Sequence, residues 1–143
     1  MYIKHKKISY IAEINLKSNS AYKQQVLKMC DAFSKKGFDV TLYVVNSNNI
    51  SFKKIKKNYL LKSKFKIEQV LNKFEKLNFI TRLLFSIKIY HKIKNKSDII
   101  FSRSIFSSII LSLNKIDNIL EVHHPMAGLI SFLFKFFKKK ILI

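Results

Sequence analysis

Between Asp98 and Pro125 the hydrophobic period changes twice, and this restricts the fold more than any other feature of the chain. The segment begins D-I-I-F-S-R, a short apolar run closed by polar residues. It continues S-I-F-S-S-I-I-L-S-L-N-K, in which Ile105, Phe106, Ile109, Ile110 and Leu113 share one face at helical spacing. A second short run, Ile119 to His123 in I-D-N-I-L-E-V-H-H-P, stops at a proline. The pattern predicts strand, helix, strand. A helix between two strands excludes a hairpin, so the strands are parallel. Parallel strands are buried on both faces and read as continuous apolar runs, as Ile99 to Phe101 does. Ligands of such sheets bind outside the carboxyl ends of the strands, where Arg103 and His123 stand.

The rest of the chain supplies more of the same units. Lys7 to Ile14, K-I-S-Y-I-A-E-I, reads as a first strand. After N-L-K-S-N-S, either Asn19 or Ser20 can cap a helix that runs to about Lys36. Tyr22, Val26, Met29, Cys30 and Phe33 form its predicted buried stripe, and Gly37 supplies a left-handed stop. Phe38 to Val45 is a second strand, which completes a β-α-β unit. Asn46 to Asn58 reads as a lysine-rich surface loop, and Phe65 to Val70 as a weak third strand. Asn72 to Lys96 is predicted mostly helical. Its expected buried stripe is Ile80, Leu83, Leu84, Ile87 and Tyr90, with Arg82, Lys88, Lys92, Lys94 and Lys96 around the other side. Ala127 to Lys138 reads as a nearly all-apolar helix, and K-K-I-L-I as the start of another strand that stops at Ile143 in mid-run. The sum is a single domain over residues 1–143, a three-layer α/β/α fold with a mostly parallel sheet, expected to be incomplete at its end.

Composition excludes several classes. With 143 residues, 48% of them hydrophobic, the chain can bury a real core. The lone cysteine, Cys30, lies on an apolar stripe, so a buried thiol is expected rather than a nucleophile. One cysteine and four scattered histidines make neither a disulfide framework nor a metal site. The most apolar window, Met126 to Phe137, is too short to span a membrane and contains Lys135. Glu13 and Asn15 interrupt the apolar run near the N-terminus, which is not the pattern of a signal peptide, so a cytoplasmic protein is expected. The net charge is +20, from 28 Lys and Arg against 8 Asp and Glu. Two readings stand: attraction to a polyanion such as nucleic acid or an anionic membrane face, or a composition biased toward AT-rich codons.

Chemistry-bearing motifs are few. The first β-α loop has no glycine, and neither a G-x-G-x-x-G fingerprint nor a P-loop occurs anywhere, which excludes an ordinary nicotinamide or ATP site. Ser18, Asn19 and Ser20 can still face a ligand there, or simply cap the helix. His123 at a strand end can donate a hydrogen bond or move a proton near neutral pH. Glu121, two residues earlier on the same face, would orient it and raise its pKa. Arg103 can bind phosphate or carboxylate bidentately, or pair with Glu121 or Asp98 and serve structure alone.

In order and spacing, these pieces resemble the N-terminal half of a GT-B glycosyltransferase of family 4, the retaining, nucleotide-sugar-dependent type. The matching stretches are K-I-S-Y-I-A-E-I, L-K-M-C-D-A-F-S-K-K-G-F-D-V-T-L-Y-V-V, Y-L-L-K-S-K-F-K-I, D-I-I-F-S-R-S and I-L-E-V-H-H-P, which together cover nearly the whole chain. The resemblance implies a Rossmann-like domain that binds a glycan or lipid acceptor. A second such domain would bind the nucleotide-sugar, a co-substrate rather than a resident cofactor, and transfer would occur in the cleft between them. The family's histidine after the fifth strand maps onto His123, close to the transferred sugar. Ser18 to Ser20 would approach the acceptor or the donor phosphates. The resemblance also implies a peripheral place on the inner face of the cytoplasmic membrane, which suits the charge. The chain departs from the family in its glycine-free first loop and in lacking the donor half with its paired glutamates. A separate donor-binding domain or chain is therefore an expected partner, without which no transfer is expected. The competing reading is a non-enzymatic basic module for anionic membrane or nucleic acid. Nucleic acid is disfavoured, because most aromatics fall on predicted buried stripes.

Overall fold

The computed structural model describes residues 6–17, 20–46, 50–71, 78–122 and 141–142. Within them the order is β1 (Lys7–Asn15), α1 (Ala21–Lys35), β2 (Asp39–Asn46), α2 (Phe52–Asn58), β3 (Lys66–Gln69), α3 (Phe79–Ile93), β4 (Ile99–Ser102), α4 (Ile105–Leu113), β5 (Asn118–Leu120) and β6 (Ile141–Leu142). The strands form one sheet in the order β3-β2-β1-β4-β5-β6. Every neighbouring pair is parallel, for example Tyr10 beside Leu42 on one side and Phe101 on the other. This is a Rossmann-like α/β fold. The order reverses direction between β1 and β4, so the switch point lies there.

Alternation along β1 divides the core in two. Ile8, Tyr10, Ala12 and Ile14 pack with α1 residues Val26, Leu27 and Cys30 and with Ile55 of α2. Ile11 packs on the opposite face with Phe85, Ile89 and Ile93 of α3 and Leu111 of α4. A strand sends successive side chains to opposite faces, so a strand flanked by two helical layers must be apolar at both parities. That is what Y-I-A in β1 provides.

Local chemistry sets the helix bounds. Ser20 caps α1, its side chain accepting from the Lys23 N–H at 3.2 Å. Gly37 follows the helix with φ 89°, a conformation that costs glycine nothing. The expected stripe of α1 is inward: Val26 and Cys30 are in the core, with Tyr22, Met29 and Phe33 against it. Asp31 ties α1 to the connection before β3. Its Oδ1 accepts from the N–H groups of Lys62 and Ser63, and its Oδ2 pairs with Lys35 at 2.9 Å.

Three expectations need correction. Residues 46–58 are not all loop, because Ser51 caps a short helix, α2, whose Ile55 enters the core. The lysines on its other positions had masked two apolar anchors, Ile55 in the core and Phe52 packed against it. On α3 the expected stripe faces outward: Ile80, Leu83, Leu84 and Ile87 are exposed, and Tyr90 is half-buried. The buried face is Thr81, Phe85, Ser86, Ile89 and Ile93. On α4 the buried residues are Ser107, Ser108, Leu111 and Ser112, while the expected Ile105, Phe106, Ile109 and Ile110 are half-buried and Leu113 is exposed. The reason is common to both helices. They meet through small hydroxyl residues that satisfy one another, Ser86 Oγ lying 2.9 Å from Ser107 Oγ and donating to the Arg82 carbonyl at 2.8 Å. Serine reads as a surface residue in a sequence, yet paired with another hydroxyl it can be buried at little cost. The predicted helix at 127–138 lies outside the described residues.

Candidate functional site at the carboxyl ends of the strands

Two polar clusters gather at the carboxyl ends of β1, β4 and β5. Arg103 directly follows β4, and its backbone N–H continues the ladder to the Ile11 carbonyl at 2.9 Å. Glu121 directly follows β5 and likewise donates to the Ser102 carbonyl at 2.9 Å. Adjacent parallel strands thus bring the two side chains together. Arg103 Nε and NH2 donate to the two carboxylate oxygens of Glu121 at 2.8 and 2.7 Å, a bidentate fork. The Tyr10 hydroxyl donates to the same carboxylate at 2.8 Å, and the guanidinium lies 5.0 Å from the centre of the Tyr22 ring.

Burial governs the titration of this group. The Arg103 side chain is 1% exposed and Glu121 25%. Burial works against the arginine charge, but the hydrogen bonds and charge of Glu121 outweigh it and hold its pKa above the ordinary value. Tyr22 is pushed up to about 12, first by burial and against the pull of Arg103, and Tyr10 is pushed higher still for the same first reason. Both phenols remain protonated donors at any physiological pH.

The second cluster centres on Glu13. The β1–β2 register shifts between Ala12, opposite Val44, and Asn15, opposite Asn46. One extra residue is therefore inserted in β1 where Glu13 sits. Such bulges re-aim side chains at strand ends. Glu13 accepts from the Ser104 hydroxyl at 2.6 Å, and its other oxygen lies 3.4 Å from Arg82 Nε. Ser104 is also the N-cap of α4 and accepts from the Ser107 N–H at 3.1 Å. Burial raises the Glu13 pKa, against the opposing effects of Ser104 and Arg82. Arg82 keeps 41% of its side chain exposed and is the most open cation of the cluster.

The sequence-predicted residues are thus partly brought together. Arg103 and Glu121 form one unit, with each other as partners, while Asp98 accepts from the Lys7 N–H at the opposite end of the sheet. Ser20 acts as the cap of α1. Ser18, Asn19 and His123 lie outside the described residues. Sequence reasoning missed Tyr10, Tyr22, Arg82 and Ser104 as members, and it took Glu13 only as an interruption of an apolar run. The one available signal was a carboxylate at the carboxyl end of the central strand.

The arrangement can meet a ligand through Arg82, 41% exposed, and through the Glu13 carboxyl group beside it, which carries its proton more readily than usual, whereas Tyr10 and Ser104 are buried with their hydroxyl protons already given to Glu121 and Glu13. It offers no thiol nucleophile, since burial pushes the Cys30 thiol well above the ordinary range. Among the described residues no cluster of His, Cys, Asp and Glu could hold a metal ion. A cavity of about 800 Å³ lies elsewhere, along the edge strand β3, with Thr41, Tyr43, Phe52, Phe65 and Lys96 in its lining. Of its charged residues Asp39, Lys64, Lys66, Glu68 and Lys96, Asp39 and Lys66 open β2 and β3 at the amino ends of the strands, and Glu68 lies within β3. The convergent charges at the switch point make the stronger site, because ligands of parallel sheets bind at the carboxyl ends. No protein-family model and no curated protein matches the chain.

Proposed function

We propose that the chain is the acceptor-side portion of a glycosyltransferase that moves a sugar from a nucleotide-sugar to a glycan or lipid acceptor. One observation carries this reading: the Arg103–Glu121 and Glu13–Ser104 pairs gather at the carboxyl ends of β1, β4 and β5, beside the point where the strand order reverses. A sugar acceptor presents hydroxyls, and this site presents an arginine and a carboxyl group to bind them. Arg103 is held by Glu121, so its role is to fix Tyr10 and Tyr22 rather than to meet substrate directly. Glu13 and Arg82 are the groups placed to touch an acceptor. His123, three residues past the end of β5, is the residue that the family resemblance sets beside the transferred sugar. The donor-binding unit comes from a further domain or a separate chain.

The test is backbone-amide NMR of the chain titrated with a panel of oligosaccharides and glycolipid headgroups. Shifts centred on residues 13, 82, 104 and 121, reduced in Glu13→Gln, are expected. Shifts confined to the groove along β3, or none across the panel, would overturn the proposal. In an enzyme reconstituted with its donor-binding unit, His123→Ala is expected to abolish transfer while acceptor binding persists.

A further inference from the structure

The cavity beside β3 takes its lining from both faces of the sheet. Lys66 and Glu68 stand opposite Thr41 and Tyr43 in the β2–β3 register, so these four share one face, whereas Ile67, opposite Leu42, belongs to the other. On that other face Ile67 lines the cavity with Phe52 and Phe65, whose rings meet edge to face at 5.2 Å. A space of about 800 Å³ thus straddles the strand instead of lying on one surface. A small ligand can rest on one face of a sheet; an added strand fills both, because its side chains alternate.

The backbone at this edge is turned to receive one. β3 ends the sheet on its side, and among the described residues no strand stands beyond it. The Val70 N–H donates to the Val44 carbonyl at 2.9 Å. Backbone groups point alternately to the two sides of a strand, so those of Lys66 and Glu68 also face β2, and the N–H and C=O of Ile67 point away from it. The four residues of β3 give about 13 Å of edge. Charge selects the partner. Lys64, Lys66 and Lys96 line the cavity and are exposed. No carboxylate of the described residues pairs with them, while Glu68 is taken by Lys92 at 3.3 Å. Of the described lining residues, Asp39 alone then offsets three lysines. Lysines guard an edge strand against further copies of its own chain, and a copy with charge +20 is repelled here. The same lysines attract a segment of opposite charge.

We infer that the outer edge of β3 is a strand-addition site for an extended acidic peptide. The backbone of the peptide pairs with Ile67. Its apolar side chains fall on Phe52 and Phe65, and the acidic ones between them fall on the face of Lys66 and Lys96. This inference stands apart from the glycosyl-transfer reading and holds equally for a non-enzymatic domain.

Titration of the full chain with a blocked octapeptide of alternating valine and glutamate tests it, read by amide NMR and hydrogen exchange. At about 1 mM the peptide is expected to shift the amides of residues 64–68 and to slow exchange at the Ile67 amide at least about tenfold. The same sequence N-methylated at every amide keeps its charge but has no N–H to donate, and is expected to bind at least about tenfold more weakly. The double variant Lys66→Glu/Lys96→Glu is expected to weaken the unmethylated peptide by a similar factor. An equal change of net charge at Lys88 and Lys115, exposed residues outside the cavity, should leave binding within about twofold. Ile67→Pro deletes the outward N–H and spares the bonds of β3 to β2, so it too should weaken binding at least about tenfold, with unchanged circular dichroism. Equal binding of the methylated peptide would overturn the inference, because charge alone would then account for it. So would equal losses in the two charge-reversed pairs, no shift at residues 64–68, or a wild-type dimer in solution that Ile67→Pro dissociates, since the edge would then serve self-association.

Discussion

Arg103 is the residue on which the candidate site most depends. Its charge is buried and satisfied by a carboxylate that also receives Tyr10. Removing one partner of such a pair leaves the other uncompensated. Arg103→Ala is therefore expected to cost about 3 kcal/mol, near the low end for buried pairs because Glu121 is partly exposed, read from urea unfolding. Glu13 behaves in the opposite sense. Its folded pKa is raised, so its stabilising contribution is complete below its unfolded pKa, about 4.3, and is lost as pH rises through the folded value. Glu13→Gln, which mimics the protonated form, is expected to gain stability on the wild type as pH rises from 4 to 7. A gap between their urea midpoints that stays flat with pH would remove burial as the dominant influence on Glu13. These two residues differ in how far the sequence disclosed them. Arg103 and Glu121 were legible because each ends a predicted strand and the strands were predicted to be parallel. Glu13 was not, because only the extra residue in β1 aims it at Ser104, and a register shift leaves no mark in composition or period.

At the scale of elements, α3 is the decisive case. It is apolar on two faces, so periodicity alone offers two solutions, and the wrong one contains more leucine and isoleucine. The choice was made by Ser86 and Ser107, whose small side chains are buried and whose hydroxyls bond to each other between α3 and α4, while Ser112 of α4 accepts from Asn118 of β5. Pairwise satisfaction of that kind is a property of two helices and cannot be read from either. The strands and α1, in contrast, were legible because each has one dominant pattern and, for α1, a cap and a glycine stop. The two faces of α3 should respond differently to truncation. Phe85→Ala, at a fully buried position, is expected to cost about 3–5 kcal/mol, whereas Ile87→Ala should change stability by no more than about 0.5 kcal/mol. Equal losses in the two variants, measured by urea titration, would mean that the outer strip is covered in solution.

For the whole molecule, charge sets the terms. An excess of 28 basic over 8 acidic residues repels itself in the compact state, and the few carboxylates are mostly consumed by local bonds. Salt should therefore stabilise the fold. Raising ionic strength from about 0.01 M to 0.1 M shortens the Debye length from about 30 to 10 Å, less than the width of the domain, and is expected to raise the urea midpoint. A midpoint that fell with salt would show that the ion pairs at Glu13 and Glu121 outweigh the repulsion. The three-layer architecture could be foreseen at this scale because strand, helix and strand repeat in order and because parallel sheets need helices on both faces. The exact path of the sheet required the structure, since β3 and β5 are only four and three residues long.

The Ser104 hydroxyl has one proton and serves two neighbours. It gives that proton to Glu13 and, with a lone pair, holds the Ser107 amide in the first turn of α4. When Glu13 takes up a proton of its own, it no longer needs the one from Ser104, and the hydroxyl is free to turn. The amide at Ser107 then loses its fixed acceptor and becomes open to solvent. Deuterium uptake at that single amide should accordingly quicken as Glu13 is protonated, so that α4 begins to fray from its first turn while β1 and β4 stay closed. A binding event that changed the charge on Glu13 would be felt, through one rotating hydroxyl, by the helix behind it.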